Sequence, residues 1–446
     1  MHLTRMNSHR SHVRNASWLV FVITLIVYWF SVERVGSLWD VGEFILGAHK
    51  LQVVHPPGAP LFLIVGRLFA WVASLFTDDP SVIAWAVNFM SALSTSFAAF
   101  FIAQATGILG KLALVGRDEE ATQGEGIAIG MAALSAGLAM AFATSIWFSA
   151  VEGEVYAMST LFTAMTFWAM VKWYDLPDTA KADRWIVFAV FATGLSVGVH
   201  LLSLLTFPAL AMLYFYKKYP ESTSIATKIG AVTAFIIALL AGIVALVAFG
   251  QKSIFNITFF GGAAIGFAFL GAKAFGSNPA QIIRKCTGGL TAAIGGVVVL
   301  VFAQAAVIKG IPALWAKMEI LMVNGFGLPF HTGLIPVSII FGAMIFGGFF
   351  MAGKLKSRSI ELLTMSVLML VIGFSVVGVV MIRANASTPI NMNAPTDAMR
   401  LQYYLNREQY GDRPLLKGPH FEARPIKYDS DDRYGCLLYT SPSPRD

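Results

Sequence analysis

The chain of 446 residues has only two cysteines, Cys286 and Cys436, which leaves no disulfide framework and no thiolate metal site to build on. Charge is equally scarce. Only 13% of residues are Asp, Glu, Lys or Arg, against about a quarter in a soluble domain. Familiar catalytic signatures are missing as well: there is no H-E-x-x-H, no Walker loop and no dinucleotide fingerprint. That argues against a zinc protease and an ATPase of the usual kinds. The net charge of +7 does not point to nucleic acid, because the Lys and Arg residues sit in short loops between apolar runs. Topological signals and lipid-facing charge account for that pattern.

What the chain has in excess is apolar length: 57% of its residues are hydrophobic and the mean hydropathy is +0.68. Runs near the ~20 residues that cross a hydrocarbon core predict an all-α polytopic membrane protein. Eleven spans are expected, at about 17–32, 82–109, 126–148, 155–173, 185–199, 201–216, 229–249, 254–271, 288–308, 334–351 and 362–382. The basic N-terminus and the absence of a small-residue cleavage site after the first run predict a retained span.

The segment Pro60–Phe76 decides the sidedness of everything after it. If it lies in the interface, 17 basic residues fall in cytoplasmic loops and 6 outside before the tail; if it crosses, only 6 lie inside. The positive-inside rule selects the first arrangement. A short segment with Arg67 near its middle also suits an interfacial helix better than a spanning one. The N-terminus is then cytoplasmic. The loop after the first span, the Glu152–Tyr156 turn, His200 and Arg383 all fall on the outer face. Residues 1–382 read as the transmembrane domain and 383–434 as the start of a truncated extracytoplasmic segment. Residues 435–446 read as a tail unrelated to the rest of the chain.

The polar residues concentrate between the first two apolar segments, in Ser37-Leu-Trp-Asp-Val-Gly-Glu-Phe44 and His55-Pro-Pro-Gly-Ala-Pro60. Asp40 and Glu43, three apart, share one side of a helical turn, and Trp39 and Phe44 beside them suit the membrane interface. A carboxylate partly desolvated there can accept a proton from a hydroxyl. On spacing alone the pair is equally a helix-capping Asp with a solvated Glu. His55-Pro-Pro-Gly is a rigid turn whose histidine orients a phosphate or a carboxylate, or caps the next helix. Arg67 and Lys50 suit phosphate contacts or snorkelling. Glu152 and Glu154, followed by Tyr156, sit in a short outer turn where they bind hydroxyls, position a cation, pair with Arg383 or stay solvated. His200 reads as structural.

Taken together, Trp39-Asp-Val-Gly-Glu-Phe44, His55-Pro-Pro-Gly-Ala-Pro60 and Trp147-Phe-Ser-Ala-Val-Glu-Gly-Glu-Val-Tyr156 resemble the GT-C membrane glycosyltransferases. Within these they are similar to the protein O-mannosyltransferase-like branch, catalogued as domain of unknown function 2723. The resemblance implies a GT-C-type fold of about eleven transmembrane helices with an interfacial helix in the first outer loop. It implies a hexosyltransferase that uses a polyprenyl-phosphate sugar, mannose first, and inverts the anomeric centre. Asp40 takes the role of general base, with Glu43 orienting it or binding the acceptor. Trp39, His55, Arg67, Glu152, Glu154, Tyr156 and Arg383 are the candidate substrate contacts. The acceptor is a protein or glycan, the other partners are membrane lipids, and no nucleic acid is involved. Nothing indicates a metal firmly, and the Glu152/Glu154 pair leaves a divalent cation open. The membrane is the bacterial inner membrane first, with a lumenal site in an endoplasmic reticulum as the other setting. The rival is a polytopic transporter or lipid flippase using the same acidic cluster, which predicts ionisable residues deep within the spans.

Overall fold

The computed structural model describes residues 8–36, 39–218, 294–301 and 303–411. The chain divides into two units, one of Met1–Lys228 with Thr287–Gln409 and one of Ile229–Cys286 with Tyr410–Asp446; the described α-helices all belong to the first. The described residues are almost entirely helical, and the only β-pairing among them is an isolated parallel bridge between Val53 and Asn391.

Helix α1 (Ser8–Ser31) is followed by a short helix α2 (Val41–Lys50), then α3 (Pro60–Ser74) and the long α4 (Pro80–Leu114). Helices α5 (Gln123–Ala141), α6 (Thr144–Val151), α7 (Val155–Asp175) and α8 (Ala180–Ser196) come next, then a 3-10 turn and α9 (Phe207–Lys218). The remainder comprises α10 (Gly310–Ile320), α11 (Leu334–Leu355), α12 (Arg358–Phe374), α13 (Gly378–Ala384) and α14 (Ala398–Asn406). Local chemistry sets several of these starts. Asp79 accepts a hydrogen bond from Ser81 N at 2.9 Å ahead of Pro80, and Thr122 with Glu125 forms a reciprocal capping box at α5.

Among the described residues, six helical stretches are long and apolar enough to cross a membrane: His9–Ser31, Pro80–Leu114, Gln123–Ala141, Ile294–Gly325, Leu334–Leu355 and Arg358–Ala384. They match six of the eleven expected runs. The runs at 155–173, 185–199 and 201–216 are helical but shorter or less apolar. Helix α7 carries Ser, Thr, Tyr and Trp, α8 has 17 residues, and α9 has 12 after its 3-10 turn. The runs at 229–249 and 254–271, like the tail at 435–446, lie outside the described residues. Helix α3, at 15 residues, is only ~22 Å long at 1.5 Å per residue, short of a ~30 Å hydrocarbon core. Between the runs expected at 288–308 and 334–351, where a loop would be expected, the chain is helical as far as Gly325, with π-turns before and after α10. Its Ala, Leu, Met, Lys and Glu content favours helix.

The apolar face of α2 supplies Val41, Phe44, Ile45 and Ala48 to one core, together with Phe62 and Leu63 of α3, Val87 and Met90 of α4, and Val155 and Met158 of α7. Fully burying a side chain such as Phe44 contributes about 1.5–3 kcal/mol, so α2 is held by packing on three partners. The small residues of α4, among them Ala92, Ala98, Ala99 and Ala103, are buried. Small residues let helix backbones approach closely where lipid gives no hydrophobic drive.

The chain after α13 returns to the stretch behind α2. Val53 N donates to Ile390 O and Met392 N to Val53 O, while Gln52 Oε1 accepts from Ile390 N at 2.7 Å. Tyr404 of α14, fully buried, donates from its hydroxyl to Val54 O at 2.5 Å. Gly58 takes a left-handed φ of +71° in the Pro-Pro-Gly turn, and a Cβ there would lie 2.6 Å from the Tyr404 hydroxyl. The turn is therefore clamped from beneath by α14.

Candidate functional site

Asp40 stands immediately before α2, in the N-cap position, yet its side chain makes no capping hydrogen bond. It is 58% exposed. The capping alternative left open by the sequence is thus not what the carboxylate does. Nor is Glu43 a solvated surface residue. Its Oε1 accepts from the backbone N–H of His55 at 2.7 Å, and its Oε2 lies 2.8 Å from His55 Nδ1. The other ring nitrogen, His55 Nε2, is 3.8 Å from Asp40 Oδ2. One imidazole therefore lies between two carboxylates, held by the clamped turn on one side and by the first turn of α2 on the other.

The electrostatics derive from this geometry. Burial raises the Glu43 carboxyl, but the hydrogen bonds and charge of His55 outweigh it and hold the group below the usual carboxylate range. His55 is raised above the ordinary imidazole value, first by its hydrogen bond to Glu43. Burial opposes the rise, the charges of Glu43 and Asp40 add to it, and Arg407 of the α14 segment works against it. Phe44 braces the ring edge-on, with centroids 5.6 Å apart.

Glu154 joins this group from the turn before α7. It is buried and accepts from Val155 N at 3.3 Å. Burial first, then the charge of Asp40, push its carboxyl up to about 7. The turn is tight, with Glu154 N donating to Glu152 O at 2.8 Å. Gly153 is required at its centre, because a Cβ there would meet Asn88 Oδ1 at 2.7 Å. Asn88 in turn donates to Glu33 O and Val35 O, which fixes the chain leaving α1.

Tyr156 and His200 face each other with ring centroids 5.2 Å apart. His200 caps the 3-10 turn through its Nδ1 and is lowered in pKa by burial and then by Arg407. Trp39, at a left-handed φ of 61°, is 90% exposed beside Asp40.

Arg67 and Arg383 are elsewhere. Arg67 donates through Nη1 to His49 O, and Arg383 donates through Nε to Leu51 O at 2.6 Å and through Nη2 to Lys50 O at 3.2 Å. Both cap the C-terminal end of α2, ~14 Å from Asp40 at 1.5 Å per residue. The structure brings Asp40, Glu43, His55 and Glu154 together and sets Arg67 and Arg383 apart from them. Arg383 binds backbone carbonyls where a pairing with Glu152 or Glu154 was one expectation. The sequence does not reveal Tyr404 and Arg407 as contributors, since nothing local in the chain shows that α14 returns to His55. One oxygen each of Asp40 and Glu43 and one nitrogen of His55 lie within 4.8 Å of one another. A cation there would have to compete with the 2.8 Å Glu43–His55 bond.

Comparisons with known proteins coincide with this region. Residues 40–223 match the family model described as the protein O-mannosyl-transferase TMEM260 N-terminal domain. A protein O-mannosyl-transferase tmem260 of Dictyostelium discoideum is 29% identical over 167 residues, 37% of this chain and 18% of that protein. Its counterpart in Mus musculus is 26% identical over 188 residues, 42% of this chain and 24% of the relative. The matched region thus spans no more than about a quarter of either relative's length. No solved structure matches the chain. The match begins at Asp40 and takes in Glu43, the His55 turn and Glu154, and residues 40–223 are thus similar to an O-mannosyltransferase-like family.

Proposed function

We propose that the chain is the membrane-embedded catalytic part of a glycosyltransferase that moves a sugar, mannose first, from a polyprenyl-phosphate donor to a Ser or Thr hydroxyl of an acceptor protein. The observation that carries this reading is the uncapped carboxylate of Asp40, set 3.8 Å from an imidazole that Glu43 holds in place. Asp40 accepts the proton of the acceptor hydroxyl as that oxygen attacks the anomeric carbon. The bond from that carbon to the phosphate oxygen breaks, its electron pair leaves with the lipid phosphate, and the anomeric centre inverts. Protonated His55, with Arg407 behind it, offsets the charge that develops on the leaving phosphate. Glu154, near neutrality in proton affinity, donates a hydrogen bond to the sugar, and Trp39, Glu152 and Tyr156 complete the contacts.

The same reading keeps about eleven spans, with residues 1–382 as the catalytic domain and 383–434 as the start of an extracytoplasmic part. The N-terminus is cytoplasmic and the site lies on the periplasmic or lumenal face, the bacterial inner membrane being favoured. Labelling of cysteines placed in the 110–125 loop only from the inside supports that sidedness; labelling from outside overturns it.

The decisive assay is sugar transfer from a polyprenyl-phosphate mannose to a Ser/Thr peptide by the full chain in membranes. Asp40→Asn is expected to lose about 10²–10⁴-fold in rate, the usual contribution of a positioned base. Full activity in Asp40→Asn would refute the mechanism.

A further inference from the structure

The C-terminal end of α2 opens on a second site with the opposite charge. A cavity of about 460 Å³ is lined by His49, Lys50, Leu51, Arg67, Ser74 and Arg383. Among the described residues no carboxylate lines it. The capping bonds use one nitrogen of Arg67 and two of Arg383, which leaves further N–H groups on each guanidinium fork. His49 Nδ1 is buried with no hydrogen-bond partner among the described residues. Burial, with the charges of Arg67 and Lys50, keeps that ring below its ordinary pKa, so it is neutral near pH 7.

Helix α3 supplies what borders the cavity. Arg67 and Ser74, seven apart, lie on one line of the helix. Ile64, Leu68, Trp71 and Leu75, at 36%, 54%, 49% and 60% exposure, form the neighbouring stripe, about 40–100° around the axis. A cationic hollow with room for a phosphate headgroup is thus flanked by an apolar strip that is exposed among the described residues, on a helix too short to span a membrane. That pattern matches an amphiphile with an anionic head.

We infer that this cavity binds the phosphate of an anionic membrane phospholipid, with an acyl chain along the Ile64–Leu68–Trp71–Leu75 stripe. The site is distinct from the acidic one. A sugar phosphate whose anomeric carbon is within reach of an acceptor bound at Asp40 cannot also place its phosphorus ~14 Å away at the far end of α2. Fixing a lipid here would anchor α3, and with it the end of α2, at a set depth in the interface.

The test titrates the full chain in detergent with phosphatidylglycerol, phosphatidylcholine, a polyprenyl phosphate and inorganic phosphate, following binding by native mass spectrometry and thermal stability. The hydrogen bonds that cap α2 use the backbone carbonyl of Lys50 and not its side chain, so the side chain can be changed with the helix cap intact. Phosphatidylglycerol is expected to bind in preference to phosphatidylcholine. Lys50→Gln should weaken it about fivefold, as for one basic residue near an anionic headgroup, and Lys50→Glu should abolish the preference. Trp71→Ala should weaken the lipid but not inorganic phosphate. The inference is overturned if the two phospholipids bind alike, if Lys50→Glu leaves phosphatidylglycerol binding unchanged, or if only the polyprenyl phosphate binds, which would assign the cavity to a donor. None of these outcomes depends on the transfer assay with Asp40→Asn.

Discussion

Substituting Glu43 by Gln is the most informative perturbation of the acidic site, because shape is kept while one charge is removed. The amide oxygen can still accept from the His55 backbone N–H, where the carboxylate now accepts at 2.7 Å. What is lost is the charge-assisted bond at 2.8 Å to Nδ1. Both partners are about three-quarters buried, with side chains 23% and 25% exposed. A hydrogen bond to a charged group contributes about 1.5–3 kcal/mol, and the remaining exposure places this one at the low end. The sign is set by the two shifts. His55 is raised above 6.5, so its contribution is complete below pH 6.5 and fades as pH rises through the raised value. Glu43 is lowered below 4.5, so its contribution is complete above pH 4.5 and fades as pH falls through the lowered value. Wild type should therefore exceed Glu43→Gln in stability most between pH 4.5 and 6.5, by about 1.5 kcal/mol, with the gap narrowing on either side. Thermal unfolding of both proteins in the same detergent from pH 4 to 8 measures it. A gap that stays constant across that range would show that no charge interaction joins the two residues.

Glu154→Gln should behave in the opposite sense. Its folded pKa of about 7 lies above the ordinary 4.5, so wild type loses stability as pH rises between those values, and the variant should gain on it at pH 8 in the same melts. Gly58→Ala meets both a left-handed φ of +71° and the Tyr404 hydroxyl, and should lower the melting temperature by an amount worth about 1–3 kcal/mol. Tyr404→Phe leaves the buried Val54 carbonyl without its donor, a loss of about 1–3 kcal/mol in thermal unfolding. Transfer activity should also fall, because the His55 turn loses its clamp.

The sequence disclosed what depends on local pattern. Hydropathy alone located α1, α4, α5, α11 and the α12–α13 run, because a spanning helix must be apolar over a fixed length. The three-residue spacing of Asp40 and Glu43 put both at the first turn of one helix, and the shortness of the apolar run around Arg67 matches the 15 residues of α3. Long-range pairing was not visible. Whether Asp40 caps its helix depends on a side-chain rotamer, and the partner of Glu43 is a histidine 12 positions on, delivered by a turn that α14 holds from a position some 350 residues away. Arg383 was grouped with the acidic turn but binds the carbonyls at the other end of α2, since a topology argument does not fix position within a face. Helices α7, α8 and α9 were less apolar than their neighbours because part of their surface meets other helices, where Ser, Thr and aromatic rings pack.

The two ends of α2 give the placement of charge a single physical basis. Asp40, Glu43 and Glu154 gather at its N-terminus, while Lys50, Arg67 and Arg383 gather at its C-terminus. The helix dipole favours both choices, the partial positive charge at one end and partial negative charge at the other each being worth ~0.3–1 kcal/mol per favourable group. The arginines answer the last carbonyls directly. At the other end the carboxylate of Asp40 takes no capping bond, so the dipole favours its charge while its oxygens remain free to accept a proton. A capped aspartate would be more stable and a worse base. In the proposed function the helix serves chemistry at one end and, in the lipid site inferred above, anchorage at the other, and a change that let the Asp40 carboxylate cap the helix should raise stability while lowering transfer.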